Sequence, residues 1–500
     1  MPNGTLFQIW RTSTWQDRIL LAVAFVLGSG NAFRYWSERN SLWQDEISAI
    51  THALQPWPSF LVEIVRNEIH PPVYFALLKL WQQFLPSDDR SLLLSSVFLQ
   101  LCALTVLGIV AAREFGPRAS AYACLVYAAM PIFPAQAGNL RMYALASCLI
   151  LLTWQANCRL LREPSGRTAA VTVFLQTMTG YTHLTAFMFV GLAALGAYGS
   201  VRAEGRIPGA RRWRRTGVAT AVLLAPLALL AFVRGGPKLS KEHGLAFISH
   251  IASMMLPWQV PSTLLAAYGL GLALLLALGL VDRRTRPTVL VIPIGACVLA
   301  TLLAFVGRPL FRNYVFAAYL LPIVGLCAAR GLTTLARWPV AGMAIAACLC
   351  SSLYTWAAIP GRTPDENYAP ATSFLKGSLR PGDTVYVAHY DVYWGILRYC
   401  VGPRWGEPLD VMPLHSNDKW QAVQRRLGTG WADRLRLVPQ TDRLVDKGVA
   451  YVFESQVAVS RGRIWFVSWA GDTEPFALPP GAALRIVRRF GRELTIGVVD

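Results

Sequence analysis

The chain has 500 residues, of which 54% are hydrophobic and only 15% charged. Soluble domains carry about 25% charged residues, so a protein wholly in water is excluded and a large part of the chain belongs in lipid. The net charge of +19 would suit a nucleic-acid partner, but the basic residues fall in short clusters between apolar runs. Such clusters set topology and touch anionic membrane lipids, and no nucleic acid is expected.

The N-terminal apolar stretch, residues 19–33, lacks a small-residue cleavage site and ends in Arg34, Tyr35 and Trp36. It reads as a retained span, not a cleavable signal peptide. Further apolar runs follow at 91–112, 119–135, 142–158, 169–179, 183–201, 216–233, 261–281, 287–306, 314–329 and 338–359. A crossing helix needs about 20 residues, so the expectation is a mainly α, polytopic membrane helical bundle of about eleven to thirteen spans. Eight of the nine cysteines lie in or beside these runs and only Cys400 falls in the polar tail. No disulfide framework and no zinc site are expected.

Alternate loops are strongly basic: Arg113 and Arg118; Arg159, Arg162 and Arg167; Arg202 through Arg215; Arg283, Arg284 and Arg286; Arg330 and Arg337. The positive-inside rule makes these cytoplasmic, together with Arg11 and Arg18. The other loops, and everything after residue 359, then face the periplasm or exterior of an inner (plasma) membrane. The outer loop 34–90 carries Trp36, Trp43, Trp57 and Trp81, which suit headgroup depth, and Pro56-Trp57-Pro58 divides it into two amphipathic helices. Residues 71–86 are apolar but short and hold Lys79, so they read as an interfacial or re-entrant helix, a tilted crossing being the alternative. Residues 361–500 change composition. Strands are expected at 384–389, 448–454, 464–469 and 484–499, with helices at 371–379 and 392–400. The chain therefore divides into a transmembrane domain, 1–360, and a small C-terminal α/β periplasmic domain, 361–500.

Polar residues that lipid does not tolerate gather at the outer ends of the spans under this topology. They are Asp45 and Glu46, His70, Arg90, Arg141 with Tyr143, His183, and Arg308 with Arg312 and Tyr314. A shared depth implies one outer cavity, with carboxylates for protons and arginines for an anion. Each residue also has a structural explanation. Acids favour a first helical turn, Pro71-Pro72 opens a helix after His70, and arginines snorkel. The functional reading makes one acid a general base toward a hydroxyl, while the other orients or holds a divalent metal. Arg308 and Arg312, four apart, suit bidentate grip of a phosphate. Together these roles fit sugar transfer from a lipid phosphate. A lipid or glycan transporter or flippase is the alternative, although such proteins place charges near the midplane and no internal repeat is visible here. A third class is a non-catalytic scaffold.

The pieces QDEISA, HPPVYFALLKLW, LRMYAL, YTHL and FRNYVFAAYLLP, spread over residues 42–331, resemble the GT-C fold glycosyltransferases. The resemblance is to the family 39-like branch of protein O-mannosyltransferases and the lipid A aminoarabinose transferase. It implies a polyprenyl-phosphate sugar donor, transfer on the periplasmic side and inversion at the anomeric carbon. It places the family's loop acid on Asp45, with Glu46 beside it, and its phosphate-binding role on Arg312 and Arg141. It makes no firm case for a metal and leaves a glycan, lipid or protein acceptor open.

Overall fold

The computed structural model describes residues 11, 13–67, 70–86, 88–205, 207–233, 262–296, 298, 320–335, 338–359, 367–381, 383–387, 392, 395–396, 398–399, 435–437, 463–469, 484–491 and 494–499. They divide into two compact units. The first comprises Met1–Trp36, Ile69–Tyr74 and Leu93–Pro360; the second comprises Ser37–Glu68, Phe75–Leu92 and Gly361–Asp500.

Helix α1 (Trp15–Glu38) starts on a reciprocal cap. The Asp17 N–H donates to Thr14 Oγ1 at 3.2 Å and the Thr14 hydroxyl donates to Asp17 Oδ2 at 2.7 Å, which satisfies first-turn groups. Then come α2 (Gln44–Leu54), α3 (Trp57–Asn67), α4 (Val73–Phe84) and α5 (Asp89–Phe115). Gln55 and Pro56 separate α2 from α3: Gln55, which precedes Pro56, is extended with ψ 145°, so the break falls where the prolines predict. The next expected span, 119–135, is broken. Helix α6 (Pro117–Ala129) stops at Met130, which is extended with φ −71° and ψ 132°, and α7 (Ile132–Ala137) follows. Met130 precedes Pro131, and the proline ring disfavours helical backbone in the residue before it.

Helices α8 (Tyr143–Arg162), α9 (Gly166–Gly180), α10 (Ala186–Arg202), α11 (Ala210–Val233), α12 (Ser262–Val281), α14 (Leu321–Leu335) and α15 (Trp338–Ala358) correspond to the remaining expected spans. Between them, the expected span 287–306 begins as α13 (Arg286–Val289) and then widens to a π turn, Leu290–Ile294, around Pro293. Proline removes one backbone donor and crowds the preceding turn. Among the described residues four helices are long and apolar enough to cross a membrane: Trp15–Glu38, Asp89–Phe115, Tyr143–Arg162 and Pro339–Ala358. Ala186–Arg202 and Leu321–Leu335 are apolar but shorter. The chain is a membrane protein of mainly α architecture. Helix α6 lies inside the first unit, with every residue from Ala119 to Ala129 buried, whereas Val26 on α1 and Met343 and Leu353 on α15 are exposed, as lipid-facing positions would be.

Polar groups join the helices of this unit. Asn157 Oδ1 accepts from Gln176 Nε2 at 3.2 Å and from Trp213 Nε1 at 2.9 Å, and Gln176 Oε1 accepts from the Thr220 hydroxyl at 2.5 Å. These bonds tie α8, α9 and α11 where water is scarce and a lone amide would be costly. Small residues allow close approach: a Cβ on Gly331 of α14 would collide with the Leu278 carbonyl of α12.

In the second unit, α16 (Tyr368–Ser378) accompanies a five-stranded sheet of β1 (Thr384–Val387), β2 (Leu435–Leu437), β3 (Ile464–Trp469), β4 (Leu484–Phe490) and β5 (Leu494–Val499), ordered β2-β1-β3-β5-β4. Strand β1 runs parallel to β2 and β3, and β5 runs antiparallel to β3 and β4. The segment 484–499, expected as one strand, is a hairpin. Gly491 turns it with φ 74°, a conformation that favours glycine, and β5 can then bury Leu494, Ile496 and Val498. Residues 392, 395, 396, 398 and 399 are helical, and the expected strand 448–454 lies outside the described residues.

Candidate functional site

Of the expected site residues, Arg308, Arg312 and Tyr314 lie outside the described residues. His70, Arg141, Tyr143 and His183 belong to the first unit, and Asp45, Glu46 and Arg90 to the second.

The four residues of the first unit come together. The rings of His70 and His183 stack with centroids 4.4 Å apart and planes 23° apart, and the Tyr143 ring lies 5.9 Å from His183. The Val73 N–H donates to the Tyr181 carbonyl at 3.1 Å, which ties the His70 segment to the turn carrying His183. His183 is 1% exposed. Its Nδ1 accepts the Thr185 N–H at 3.2 Å and lies 2.6 Å from the Thr185 hydroxyl. Accepting at Nδ1 leaves the proton of the neutral ring on Nε2. Burial, then the nearby His70 and Arg141, hold the imidazole's pKa well below its ordinary value. Burial thus favours the neutral imidazole, which can hydrogen-bond but carries no charge.

Arg141 supplies the positive charge. It is buried at 6% exposure, in a turn where its N–H donates to the Asn139 carbonyl at 2.8 Å. Helix α8 starts two residues later at Tyr143, so the helix dipole adds positive potential there. The turn has no room to spare. A Cβ on Gly138 would collide with the Tyr35 ring. Arg34, beside Tyr35, stacks over Trp356 at 4.3 Å.

The opposite end of α8 is chemically different. Arg162 reaches Glu114 at 2.8 Å and Glu204 at 2.8 Å, and Arg284 reaches Glu204 at 2.5 Å. Arg330 pairs with Asp282 at 3.0 Å, and Arg118 with Asp17 at 3.3 Å. The Glu114 and Glu204 pairs link four of the basic loops that the sequence assigns to one membrane face.

In the second unit Asp45 is half-buried and Glu46 fully buried. Glu46 Oε2 accepts the Trp43 N–H at 3.0 Å and pairs with Arg39 at 2.5 Å. It therefore reaches back over the first turn of α2, the capping role acids favour there. The loop before it is stapled to distant residues. The Leu42 N–H donates to the Tyr399 hydroxyl at 2.8 Å, and that hydroxyl donates to Asp89 Oδ2 at 2.5 Å. Arg398, 2% exposed, pairs with Asp89 Oδ1 at 2.5 Å. The Ala369 N–H donates to Ser41 Oγ at 3.2 Å. Burial, then Asp89, push the Tyr399 pKa up, so the phenol keeps its proton. Arg90 is exposed at the start of α5, its N–H donating to Asp88 Oδ1 at 3.1 Å. Sequence reasoning missed Arg39, Asp89, Arg398 and Tyr399. Asp89 and Tyr399 are 310 positions apart, and no local spacing announces such a pairing. Among the described residues no group of three His, Cys, Asp or Glu could hold a metal ion.

No protein-family model and no curated protein matches the sequence. Solved structures do. The fold is that of the GT-C membrane proteins. The chain is similar to ArnT from Cupriavidus metallidurans bound to undecaprenyl phosphate, with 13% identity, a TM-score of 0.57, and 97% of this chain and 98% of that one covered. The apo form of that ArnT matches with a TM-score of 0.52 over 96% and 97% of the two chains, again at 13% identity. An Archaeoglobus fulgidus oligosaccharyltransferase in complex with zinc and sulfate matches at 11% identity with a TM-score of 0.45, over 75% of this chain and 61% of that one.

Proposed function

We propose that the chain transfers a sugar from a polyprenyl-phosphate donor to an acceptor hydroxyl on the periplasmic side of the inner membrane. One observation carries this reading: His70, Arg141, Tyr143 and His183 converge from three separate segments. They form a buried polar cluster at the start of α8 in a fold shared with an undecaprenyl-phosphate-bound protein.

Arg141 holds the donor phosphate with charge-assisted hydrogen bonds and offsets the charge that grows as it leaves. His70, Tyr143 and the neutral His183 orient it. Arg90, Arg308, Arg312 and Tyr314 complete the phosphate-binding set. Asp45 is the general base. The acceptor O–H gives its proton to the Asp45 carboxylate while its oxygen bonds to the anomeric carbon. The bond from that carbon to the phosphate oxygen breaks, and polyprenyl phosphate departs with the electron pair. Attack opposite the leaving group inverts the centre. Glu46, held by Arg39 and the Trp43 N–H, orients the loop that presents Asp45.

The test is mass spectrometry of envelope glycans from cells lacking the protein, complemented with wild type or Asp45→Asn. Wild type should return a sugar that Asp45→Asn does not, at equal expression and melting temperature. A variant that complements fully would remove Asp45 from the chemistry. If no glycan depends on the protein, the transfer reading fails.

A further inference from the structure

At the end of α8 away from His183 there is a cavity the transfer reaction does not use. It lies where the last turns of α5 and α8 meet the first turn of α9, and its volume is about 670 Å3. Small-molecule sites commonly measure roughly 300–1,000 Å3. Each of the three segments contributes one arginine to the lining, Arg113, Arg159 and Arg167, against one acid, Glu163.

Two of these arginines, Arg159 and Arg167, differ from their neighbours. Arg162 and Arg284 are matched by Glu114 and Glu204. Arg159 and Arg167 make no ion pair among the described residues, and Arg159 is close enough to Arg113 for their charges to act on one another. Arg159 and Arg167, which no described acid pairs, leave an excess of positive charge over Glu163 that raises the local affinity for an anion. The start of α9 adds its dipole, its cap formed by Ser165 Oγ accepting the Thr168 N–H at 3.0 Å. One wall is apolar. Val171 lines the cavity, and Phe174 lies three residues further along α9; they are 46% and 60% exposed. Residues spaced by three share a helix face, so a greasy stripe runs from the charged mouth along the helix.

We propose that this cavity binds the phosphodiester headgroup of an anionic phospholipid, with an acyl chain lying along Val171 and Phe174. Free phosphate offers the same charge but has no use for the apolar wall, and a zwitterionic lipid fits the wall but brings its own cation to the arginines. The site is separate from the proposed donor site, and its failure would leave the transfer reading untouched.

The experiment is native mass spectrometry of the full chain in detergent, titrated with phosphatidylglycerol and, separately, phosphatidylcholine. Each arginine beside an anionic headgroup is worth about fivefold in affinity. Wild type should retain phosphatidylglycerol at least tenfold better than phosphatidylcholine. The triple variant R113Q/R159Q/R167Q should lose that preference, and Arg159→Gln and Arg167→Gln alone should each lose about fivefold, which keeps the test decisive if the triple variant does not fold. R211Q/R214Q/R215Q, outside the cavity, should bind as wild type does. Unchanged binding by the single cavity variants would overturn the proposal. So would equal loss in the control variant, which would mean diffuse attraction. Displacement of the lipid by millimolar inorganic phosphate would assign the site to a free anion and overturn it too.

Discussion

Helix α8 joins two ends built from similar residues to opposite purposes. Its 20 residues span about 30 Å. At its C-terminal end Arg162 is locked between Glu114 and Glu204, so charge is neutralised inside the protein and the result is cohesion between loops. At its N-terminal end Arg141 is buried beside two stacked imidazoles and a tyrosine. There positive charge meets the neutral His183 ring, and the arrangement is the one proposed above to receive an anion. The difference teaches that an arginine at a helix end has no fixed role: the residues that other segments bring to it decide between staple and site.

The comparison breaks most visibly if the two arginines can be exchanged in effect. Arg141→Ala should weaken undecaprenyl phosphate binding by about 100-fold, near 3 kcal/mol for charge-assisted bonds to a phosphate, with little change in melting temperature. Native mass spectrometry with undecaprenyl phosphate checks this, and equal affinity would assign Arg141 to structure. Arg162→Ala should do the reverse. It leaves Glu114, with 4% of its side chain exposed, without its closest cation. The loss should be about 2 kcal/mol, below the figure for a fully buried pair because Arg162 itself keeps 28% exposure. A thermal melt shows it, and undecaprenyl phosphate affinity should stay within about twofold.

His183 sharpens the contrast through pH. Its folded pKa lies well below the ordinary histidine value of about 6.5, so below that pH the unfolded chain binds a proton the folded chain refuses. Stability attributable to His183 is intact above pH 6.5 and falls as pH drops from there, by about 1.4 kcal/mol per unit. His183→Gln should flatten the fall in melting temperature between pH 7 and pH 5; an unchanged slope would mean His183 is not held neutral. The smallest effect belongs to the basic end. Ser165→Ala removes the cap of α9 and should cost about 1 kcal/mol or less in a melt, without altering undecaprenyl phosphate binding.

Much of the framework was legible before any coordinates. The apolar runs lead to helices because backbone groups in lipid must bond within their own segment, and the alternation in 464–469 leads to β3 (Ile464–Trp469) at the expected bounds. The proline rule that separates α2 from α3 also explains the unexpected break after Met130. The turn at Gly491 was there to be read in Gly491-Arg492-Glu493, but an apolar tail masked it. Of the candidate site, His70, Arg141, Tyr143 and His183 were all named from types that lipid excludes, and the structure brings them together. Asp45 was named for the same reason, but the staples that hold its loop were not.

The amino-acid sequence by itself determined that this chain lives in a membrane, where its helices run, and which polar residues need a reason to be there. Those outcomes follow from local hydropathy and backbone chemistry within some 20 residues. Only the tertiary structure decided that His70 stacks on His183, that Arg162 is spent on Glu114 and Glu204, and that Tyr399 and Arg398 grip Asp89 behind the Asp45 loop. Those partners are separated by between 42 and 310 positions for every hydrogen-bonded pair among them, and contacts at such range depend on how helices pack, which no local pattern encodes.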